Sequence, residues 1–259
     1  MPQSSANNLR FPPPRLPDQV TKLRADVRAF LAESSAADPW LANSDFGAGF
    51  SPEFSRKIAA KGWIGMTWPK QYGGGARSNL ERYVVTEELL EAGAPVFAHW
   101  IADRQSGPLL LRFGSQAQRA ELLPRIAAGE CFFSIGMSEP DSGSDLASVR
   151  TRAERTAQGW RLNGAKVWTS NAHLNHYMIT LCRTGDAGED RHGGLSQFLI
   201  DLHQDGVTIN PIVNMLGTHE FNEVVFDDVE IPADRLIGQE GDGWRQVTSE
   251  LAYERSGPE

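Results

Sequence analysis

The chain has 259 residues, of which 40% are hydrophobic and 22% charged, a composition typical of a globular protein with a sizeable core. A formal net charge of −8 and a sequence pI near 5.3 argue against a surface that binds nucleic acid or an anionic membrane. No run of about 18 apolar residues is present, so the sequence predicts no membrane-spanning segment.

The cysteines and the first residues of the chain both favour a cytoplasmic protein. Cys131 and Cys182 lie far apart and form no CxxC pair, which favours buried free thiols in a reducing compartment. The opening stretch, MPQSSANNLRFPPPRLP, lacks the apolar run of a signal peptide. We therefore expect a cytoplasmic location.

Helical patterns fill the first half of the chain after a proline-rich lead, residues 1–16. Apolar residues recur at helical spacing between Val20 and Leu31, and Asp18 is expected to cap this helix. Ser51 is expected to cap a second helix, SPEFSRKIAAKGW. Further helical patterns follow in NLERYVVTEELLEAG, APVFAHWIADRQSGPLLLRFG and SQAQRAELLPRIAAGE. The sequence thus predicts a helical domain over residues 17–130.

Short strand-like segments replace the helical pattern near residue 131. They are CFFSIGMSEP, GWRLNGAKVWTSN, HYMITLCRT, LSQFLIDL, GVTIN and NEVVFDDVEIP. The QGW and LNGAK stretches carry hairpin signals. Because no helical run separates these strands, we expect an antiparallel β-barrel or sandwich over residues 131–240 rather than a parallel sheet. Helical spacing returns in residues 241–259, which gives an α+β multidomain chain.

Common catalytic and ligand-binding motifs are missing from the sequence. It contains no GxGxxG, GxxxxGKS/T, GxSxG or HExxH pattern. His173 and His176, in HLNH, lie between strand signals rather than on a helix, so we interpret them as ordinary loop histidines and predict no metal site. The GGG run at 73–75 is interpreted as a flexible turn.

Two loops have a composition suited to a ligand. GMSEPDSGSD, residues 136–145, follows a strand and offers backbone N–H groups and hydroxyls to one concave spot. KVWTSNA, residues 166–172, supplies a flat indole with donors at Thr169 and Ser170. The two loops would suit a planar, electron-accepting heterocycle with polar edges. A pair of Ser- and Gly-rich turns without a ligand is the alternative.

The chain resembles the acyl-CoA dehydrogenase family from about residue 17 to its end. The matching stretches, in order, are GWIGMTWPKQYGGG, FGSQAQRAELLPRIAAGE, SIGMSEPDSGSDLASVRT, GWRLNGAKVWTSNA, NEVVFDDVEIP and ELAYERSGPE. The resemblance implies a helical N-terminal domain, a β-domain and a helical C-terminal domain. Of the third, the sequence contains only the opening helix, so we expect part of a longer enzyme.

The same resemblance implies an FAD site. Residues Ile135 to Ser144 would line the flavin and the thioester end of the substrate, with Ser138 on the flavin pyrimidine edge and Ser144 near the CoA arm. Trp168 would pack on the flavin and Ser170 would donate toward its N5 atom. The FAD-binding residues implied are Ile135, Gly136, Met137, Ser138, Gly143, Ser144, Trp168, Thr169 and Ser170.

Two departures from the family pattern are visible. The loop reads EPDSGSD where many members have EPGAGSD, so Asp141 adds a charge near the ligand. The stretch MLGTHEFNEVVF is shorter by about two residues than the common pattern. In the family that loop lies near the CoA arm, which leaves the CoA contacts of this segment open.

The reaction implied is α,β-dehydrogenation of an acyl-CoA thioester, with electrons passed to an electron-transfer flavoprotein. Glu254, in the YER stretch, matches one of two family positions for the base; the alternative is that it only pairs with a cation. Val96, Phe97 and Trp100 match positions at the base of the acyl pocket, although they also fit a helix core. A dimer or tetramer, of one chain or two different ones, is implied.

Other functions share these motifs. An acyl-CoA oxidase would differ in oxygen access, and a flavin monooxygenase would act without CoA thioesters. A non-catalytic or half-site subunit of a heteromeric dehydrogenase is the alternative that requires no activity of its own. By itself the 259-residue chain is expected to hold FAD poorly and to be inactive.

Overall fold

The computed structural model describes residues 15–40, 49–186, 188 and 190–255. Its helices are α1 Asp18–Ala37, α2 Pro52–Ala60, α3 Asn79–Glu91, α4 Phe97–Ile101, α5 Gly107–Phe113, α6 Gln116–Ala127 and α7 Gly243–Arg255. Its strands are β1 Phe133–Gly136, β2 Arg152–Arg155, β3 Gly159–Ser170, β4 Tyr177–Arg183, β5 Leu195–Asp201, β6 Val207–Val213, β7 His219–Pro232 and β8 Leu236–Ile237. The predicted α+β order of helices, strands and one final helix is confirmed.

The helices begin where the sequence supplies capping side chains. Ser51 accepts a hydrogen bond from the Phe54 N–H group and caps α2, as predicted. Capping boxes start α3 and α6. The prediction for Asp18 is wrong: α1 starts at Asp18 itself, after Pro17, and no side chain caps it.

One nearly continuous helical run joins α4 to α5. Its middle, Ala102–Ser106, is π-helical, which widens the backbone for one turn. The run packs against β1 on one side and α7 on another. It therefore lies between the helical half of the chain and the sheet.

The strands form one sheet in the order β6-β7-β3-β2-β4-β5-β8, with β1 beside β4. Most neighbours are antiparallel, as predicted, but β1 and β2 each run parallel to β4. The QGW stretch forms the turn between β2 and β3, as its hairpin signal indicated. Two strands, β2 and β8, are short and were not predicted.

The hairpin predicted at LNGAK is wrong. Asn163 and Gly164 lie inside β3, at a register shift opposite β7. The Asn163 side chain hydrogen-bonds with Asp228, which has a positive φ of 49°. Asp228, which pairs with Asn163 at this bulge, lies 65 residues further along the chain. Local sequence therefore could not reveal the bulge.

Three hydrophobic clusters hold the elements together. The largest fills the helical half and includes Phe133 and Ile179 of the sheet, so the two halves share a core. A second lies within the sheet around Trp160 and Phe198. The third joins Val149, Leu181, Leu195 and Val247, and thereby attaches α7 to the sheet.

Two further predictions concern cysteines and membranes. Cys131 and Cys182 are buried free thiols, as expected, and burial raises the pKa of each to about 12. In the described part of the chain, no helix combines the length and apolar character needed to cross a bilayer.

Candidate functional site

The β1 loop, residues 136–145, leaves the carboxyl end of β1. Gly136 is buried, and a side chain there would meet the terminal methyl group of Met178 at 2.8 Å and the Lys166 side chain at 3.3 Å, so these two side chains would have to shift. Met137 and Ser138 follow and are half-buried. Gly143 and Ser144 are exposed and follow the turn that paired backbone hydrogen bonds between Glu139 and Ser142 close.

The end of β3 holds Trp168 in an uncommon conformation. Its φ is +61°, a left-handed backbone conformation that residues with bulky side chains rarely adopt. The regular pairing with β7 breaks between Lys166 and Thr169, so an extra residue is accommodated there. Trp168 is 59% exposed, and the centroid of the Phe221 ring lies 6.0 Å from that of its indole.

Hydrogen bonds bring the β1 loop and the end of β3 together. The Val167 N–H group donates to the Ser138 carbonyl at 2.9 Å. Within β1, just before the loop, the Ser134 hydroxyl donates to the Ser170 carbonyl at 2.8 Å. The two segments that the sequence singled out are thus neighbours, and Ile135 to Ser138 lie beside Trp168 to Ser170.

A buried ion pair under these loops escaped the sequence analysis. The Lys166 Nζ atom lies 2.8 Å from the Glu139 carboxylate and donates to the Met137 carbonyl at 3.0 Å. Burial lowers the pKa of Lys166, against the attraction of Cys182 and Glu139. Burial would raise the pKa of Glu139, but Lys166 and the hydrogen bonds to the carboxylate outweigh it, so that pKa is lowered. The Glu139 carboxylate therefore stays charged at neutral pH, whereas burial opposes the charge of Lys166.

The side chains in this area fit a flavin. Trp168 presents an exposed aromatic face, on which a flat ring system can pack. Thr169 is fully buried, and its hydroxyl has no hydrogen-bond partner among the described residues. Ser138 and Ser170 add half-buried hydroxyls beside it. An aromatic face beside unused hydrogen-bonding groups is the chemistry that a heterocycle with polar edges requires.

Helix α7 lies beside the same loop. Leu251 of α7 and Met137 of the β1 loop pack against one cluster, which includes Val149 and Val247. Glu254, the predicted base, is one turn beyond Glu250 in the exposed last turn of α7. The helix thus starts buried beside the loop and ends with Glu254 facing outward.

Glu250 is a second carboxyl group that the sequence analysis missed. It is fully buried, and the Gln197 side-chain amide donates to it at 2.9 Å. Burial raises its pKa to about 8, opposed by the Gln197 hydrogen bond, so the group is mostly protonated at neutral pH. Its helical spacing to Val247 was the available signal, because positions three apart share a face.

The predicted acyl-pocket residues lie on and before α4. Val96 is buried and bridges to Phe50, whereas Phe97 and Trp100 are half-buried. Trp100 and Ile135 of β1 pack against the same helical core. The guanidinium carbon of Arg104 lies 4.5 Å from the centroid of the Trp100 ring. Their role in holding an acyl group stays a prediction.

The two departures from the family pattern lie at the surface. Asp141 is exposed and lies 3.8 Å from the Arg150 guanidinium. Arg150 also uses its backbone N–H group to bind Glu139. The shortened stretch begins in the turn between β6 and β7, where Met215 and Leu216 are exposed, and continues into β7. Asn214 closes this turn by accepting the N–H groups of Leu216 and Thr218.

The histidines of HLNH have structural contacts. The His173 ring stacks on His219 with ring centroids 3.7 Å apart. His176 accepts the Phe132 N–H group at its Nδ1 atom. Within the described ranges, no group of three or more His, Cys, Asp or Glu residues is placed to hold a metal ion.

Two family models match the chain. The acyl-CoA dehydrogenase N-terminal domain matches residues 17–130. The acyl-CoA dehydrogenase middle domain matches residues 134–229. Together they cover the helical half and most of the sheet.

Curated and solved relatives agree with these matches. Acyl-CoA dehydrogenase IpdE1 of Mycobacterium tuberculosis (strain ATCC 25618 / H37Rv) is 41% identical over 243 residues, which are 91% of this chain and 63% of that protein. The structure of the Tcur3481-Tcur3483 steroid ACAD superposes with a TM-score of 0.84 at 32% identity, covering 93% of this chain and 62% of that one. A glutaryl-CoA dehydrogenase from Mycobacterium smegmatis in complex with FADH2 gives 0.75 at 29% identity, covering 93% and 60%. The chain therefore spans less than two thirds of the length of each of these proteins.

Proposed function

The chain belongs to the acyl-CoA dehydrogenase family, and from that premise we propose that it forms the FAD and acyl-CoA site of an enzyme that dehydrogenates an acyl-CoA thioester between its α and β carbons. The observation that carries this proposal is the meeting of three segments. The β1 loop and the end of β3 are hydrogen-bonded to each other, and α7 packs beside the loop. The first two segments bring an exposed aromatic side chain and hydroxyl groups together, and the adjoining helix carries a carboxyl group.

The cofactor we propose is FAD. Trp168 would pack on the flavin, with Ser138 at its pyrimidine edge and Thr169 and Ser170 as donors at its central ring. Backbone and side chains of Ile135, Gly136, Met137, Gly143 and Ser144 would complete the binding surface. When bound, the flavin would supply the acceptor for a hydride from the substrate β-carbon. Support comes from the buried Thr169 hydroxyl, which has no hydrogen-bond partner in the part of the chain that the structure describes, and from the FADH2 complex of the glutaryl-CoA dehydrogenase.

Glu254 would take the proton from the substrate α-carbon. Carboxylates are weak bases, so such a group gains its effect from being oriented and shielded from water when the substrate is bound. Ser144 would contact the CoA arm, while Val96, Phe97 and Trp100 would define the far end of the acyl pocket. Trp100 packs on the same core as Ile135, which supports a pocket that extends from the β1 loop toward α4.

The partners we propose follow from the family. Electrons would leave the reduced cofactor for an electron-transfer flavoprotein, and the working enzyme would be a dimer or tetramer. One solved relative is named for two proteins, Tcur3481 and Tcur3483, which supports an assembly of two different chains. We also propose a domain division at 17–130, 131–240 and 241–259, in line with the ranges of the two family models.

The test uses protein expressed from the complete coding sequence, with any partner subunit that co-purifies. After FAD loading, it is mixed without oxygen with acyl-CoA thioesters of short, branched, long and polycyclic acyl groups. We expect at least one of them to bleach the flavin and to yield the 2-enoyl-CoA. Flavin-loaded protein that no thioester reduces would refute the proposal. Stoichiometric peroxide in air would identify an acyl-CoA oxidase instead.

A further inference from the structure

The ion pair between Lys166 and Glu139 lies directly beneath the two loops of the candidate site. Lys166 is 0% exposed and Glu139 is 8% exposed. The Lys166 ammonium binds the Glu139 carboxylate at 2.8 Å and the Met137 carbonyl at 3.0 Å. A single side chain from β3 therefore holds two points of the β1 loop.

Glu139 extends these contacts to a third segment. Its carboxylate accepts the Arg150 N–H group at 2.7 Å and the Thr151 N–H group at 2.9 Å. Arg150 and Thr151 lead into β2. With Lys166 as a third donor, the carboxylate has the hydrogen bonds that a buried charge requires. The pair thus connects the β1 loop, β3 and the start of β2.

The pair also lies next to the distorted end of β3. Lys166 is the last residue to pair regularly with β7, opposite Val224, before the register shift. Two residues on, Trp168 adopts its positive φ, a conformation that persists only where the surroundings hold it. On the far side, the Asn222 side chain donates to the Thr169 carbonyl. Trp168 is therefore held between Lys166 and Asn222.

A buried ion pair of this kind is a poor source of stability. The cost of removing two charges from water offsets much of their attraction, so well-packed apolar side chains often stabilise a fold as well or better. What an apolar pair lacks is direction: it cannot fix a carbonyl group or a loop at a given distance. The hydrogen bond from the Lys166 Nζ atom to the Met137 carbonyl does fix the loop at a given distance from β3.

We infer that Lys166 and Glu139 are positioning residues of the flavin site, whose ion pair sets the placement of the β1 loop relative to Trp168. The inference rests on the proposed function, because it assigns the pair an effect on FAD binding. It predicts that loss of the pair changes cofactor affinity by more than it changes the fold.

The test compares Lys166→Met, Lys166→Arg and the double variant Lys166→Met/Glu139→Gln in the protein from the complete coding sequence. Arg161→Met/Glu230→Gln is the matched control, because it removes an exposed ion pair at 2.9 Å from the same strand. FAD affinity is measured by titration of the flavin-free protein. The circular dichroism of bound flavin reports its surroundings, and thermal unfolding of the flavin-free protein reports the fold.

We expect Lys166→Met to lower both FAD affinity and thermal stability, because it leaves the buried Glu139 carboxylate with two backbone N–H donors but without the opposite charge. The double variant should regain most of the stability, yet bind FAD roughly 10–100-fold more weakly than wild type, the range seen when groups supporting a ligand site are removed. Its flavin dichroism should differ from that of wild type. Lys166→Arg keeps a charge but has a larger, planar head group, and should weaken FAD binding in a folded protein. The control should match wild type in every measurement.

Recovery of both stability and FAD affinity in the double variant would overturn the inference and leave the pair with a purely structural role. Unchanged FAD affinity in Lys166→Arg and the double variant would do the same. If Lys166→Met does not fold, the other two variants decide the question. Wild-type protein that binds no FAD would instead refute the proposed function, so the two failures are distinguishable.

Discussion

Two successive turns of helix α7 place similar side chains in opposite surroundings. In the inner turn, Glu250 is 0% exposed and hydrogen-bonded to Gln197, and burial raises its pKa to about 8. One turn later, Glu254 is exposed beside Tyr253. Helical spacing relates the two glutamates closely, yet only the first reaches the sheet. The contrast teaches that a carboxyl group's surroundings depend on whether its turn of the helix packs on the strands, as that of Glu250 does on β5.

The largest effect is expected on the free energy of unfolding when Glu250, the buried carboxyl group of this comparison, is replaced. Glu250 holds a proton in the folded protein between its ordinary pKa of 4.5 and about 8, while the unfolded chain has lost it. Below pH 6.5 the buried His99, whose pKa is lowered to about 3 by burial, contributes a slope of the opposite sign. The unfolded state binds fewer protons at Glu250 in this range, so the contribution of Glu250 to the free energy of unfolding falls as the pH rises from 4.5 to 8. Glu250→Gln, which keeps the shape without the charge, should abolish this slope and be more stable by about 4 kcal/mol at the upper end.

Denaturant titrations of the flavin-free protein across that pH range measure the effect. The control is Glu240→Gln, because Glu240 belongs to an exposed ion pair with Arg155 and should leave the slope in place. A Glu250→Gln variant with the wild-type slope would mean that Glu250 ionises freely in the folded state.

The second prediction sharpens the contrast at the exposed last turn of α7. If Glu254 is the base, Glu254→Gln should still bind acyl-CoA but slow flavin bleaching by at least ~100-fold, the lower range for a positioned general base. Glu250→Gln should bleach at nearly the wild-type rate, since an amide resembles the protonated carboxyl it replaces. The measurement is anaerobic stopped-flow of FAD-loaded protein. Bleaching of Glu254→Gln at the wild-type rate would assign the base to the other family position.

The third prediction carries the comparison to β3, where Lys166 is buried and Trp168 is 59% exposed. Trp168→Ala should weaken FAD binding by roughly 0.5–1.5 kcal/mol beyond the loss of apolar contact area, the usual contribution of an aromatic pair. Flavin titration and the absorbance of the bound flavin measure it. Leu174→Ala is the control, because this exposed leucine lies in the neighbouring turn. Equal FAD affinity in both variants would mean that Trp168 does not pack on the flavin.

Local sequence revealed the loops of the site but not the groups beneath them. The hydroxyl-rich β1 loop and the indole of Trp168 are readable because composition and turn residues are local properties. Lys166 had one signal: it continues the inward positions of Trp160 and Leu162 along β3, where a charge needs a buried partner. The identity of that partner, Glu139, depends on how the β1 loop folds over β3, which periodicity cannot predict. The error at Asn163 has the same cause, since β7 supplies the opposing residue.

The smallest effect is expected at the turn between β6 and β7, which is the opposite extreme to the buried face of α7. Met215 is 99% exposed and Leu216 is 76% exposed, so neither loses apolar contact when it is made polar. Met215→Ser/Leu216→Ser should change the free energy of unfolding by no more than about 0.5 kcal/mol, because Asn214 holds the turn through backbone N–H groups that the substitutions keep. Val224→Ala, on β7 of the same hairpin but fully buried, should cost roughly 2 kcal/mol. Denaturant unfolding of the flavin-free protein measures both variants. If the double serine variant loses as much stability as Val224→Ala, the turn that is exposed in this structure is covered in the protein in solution.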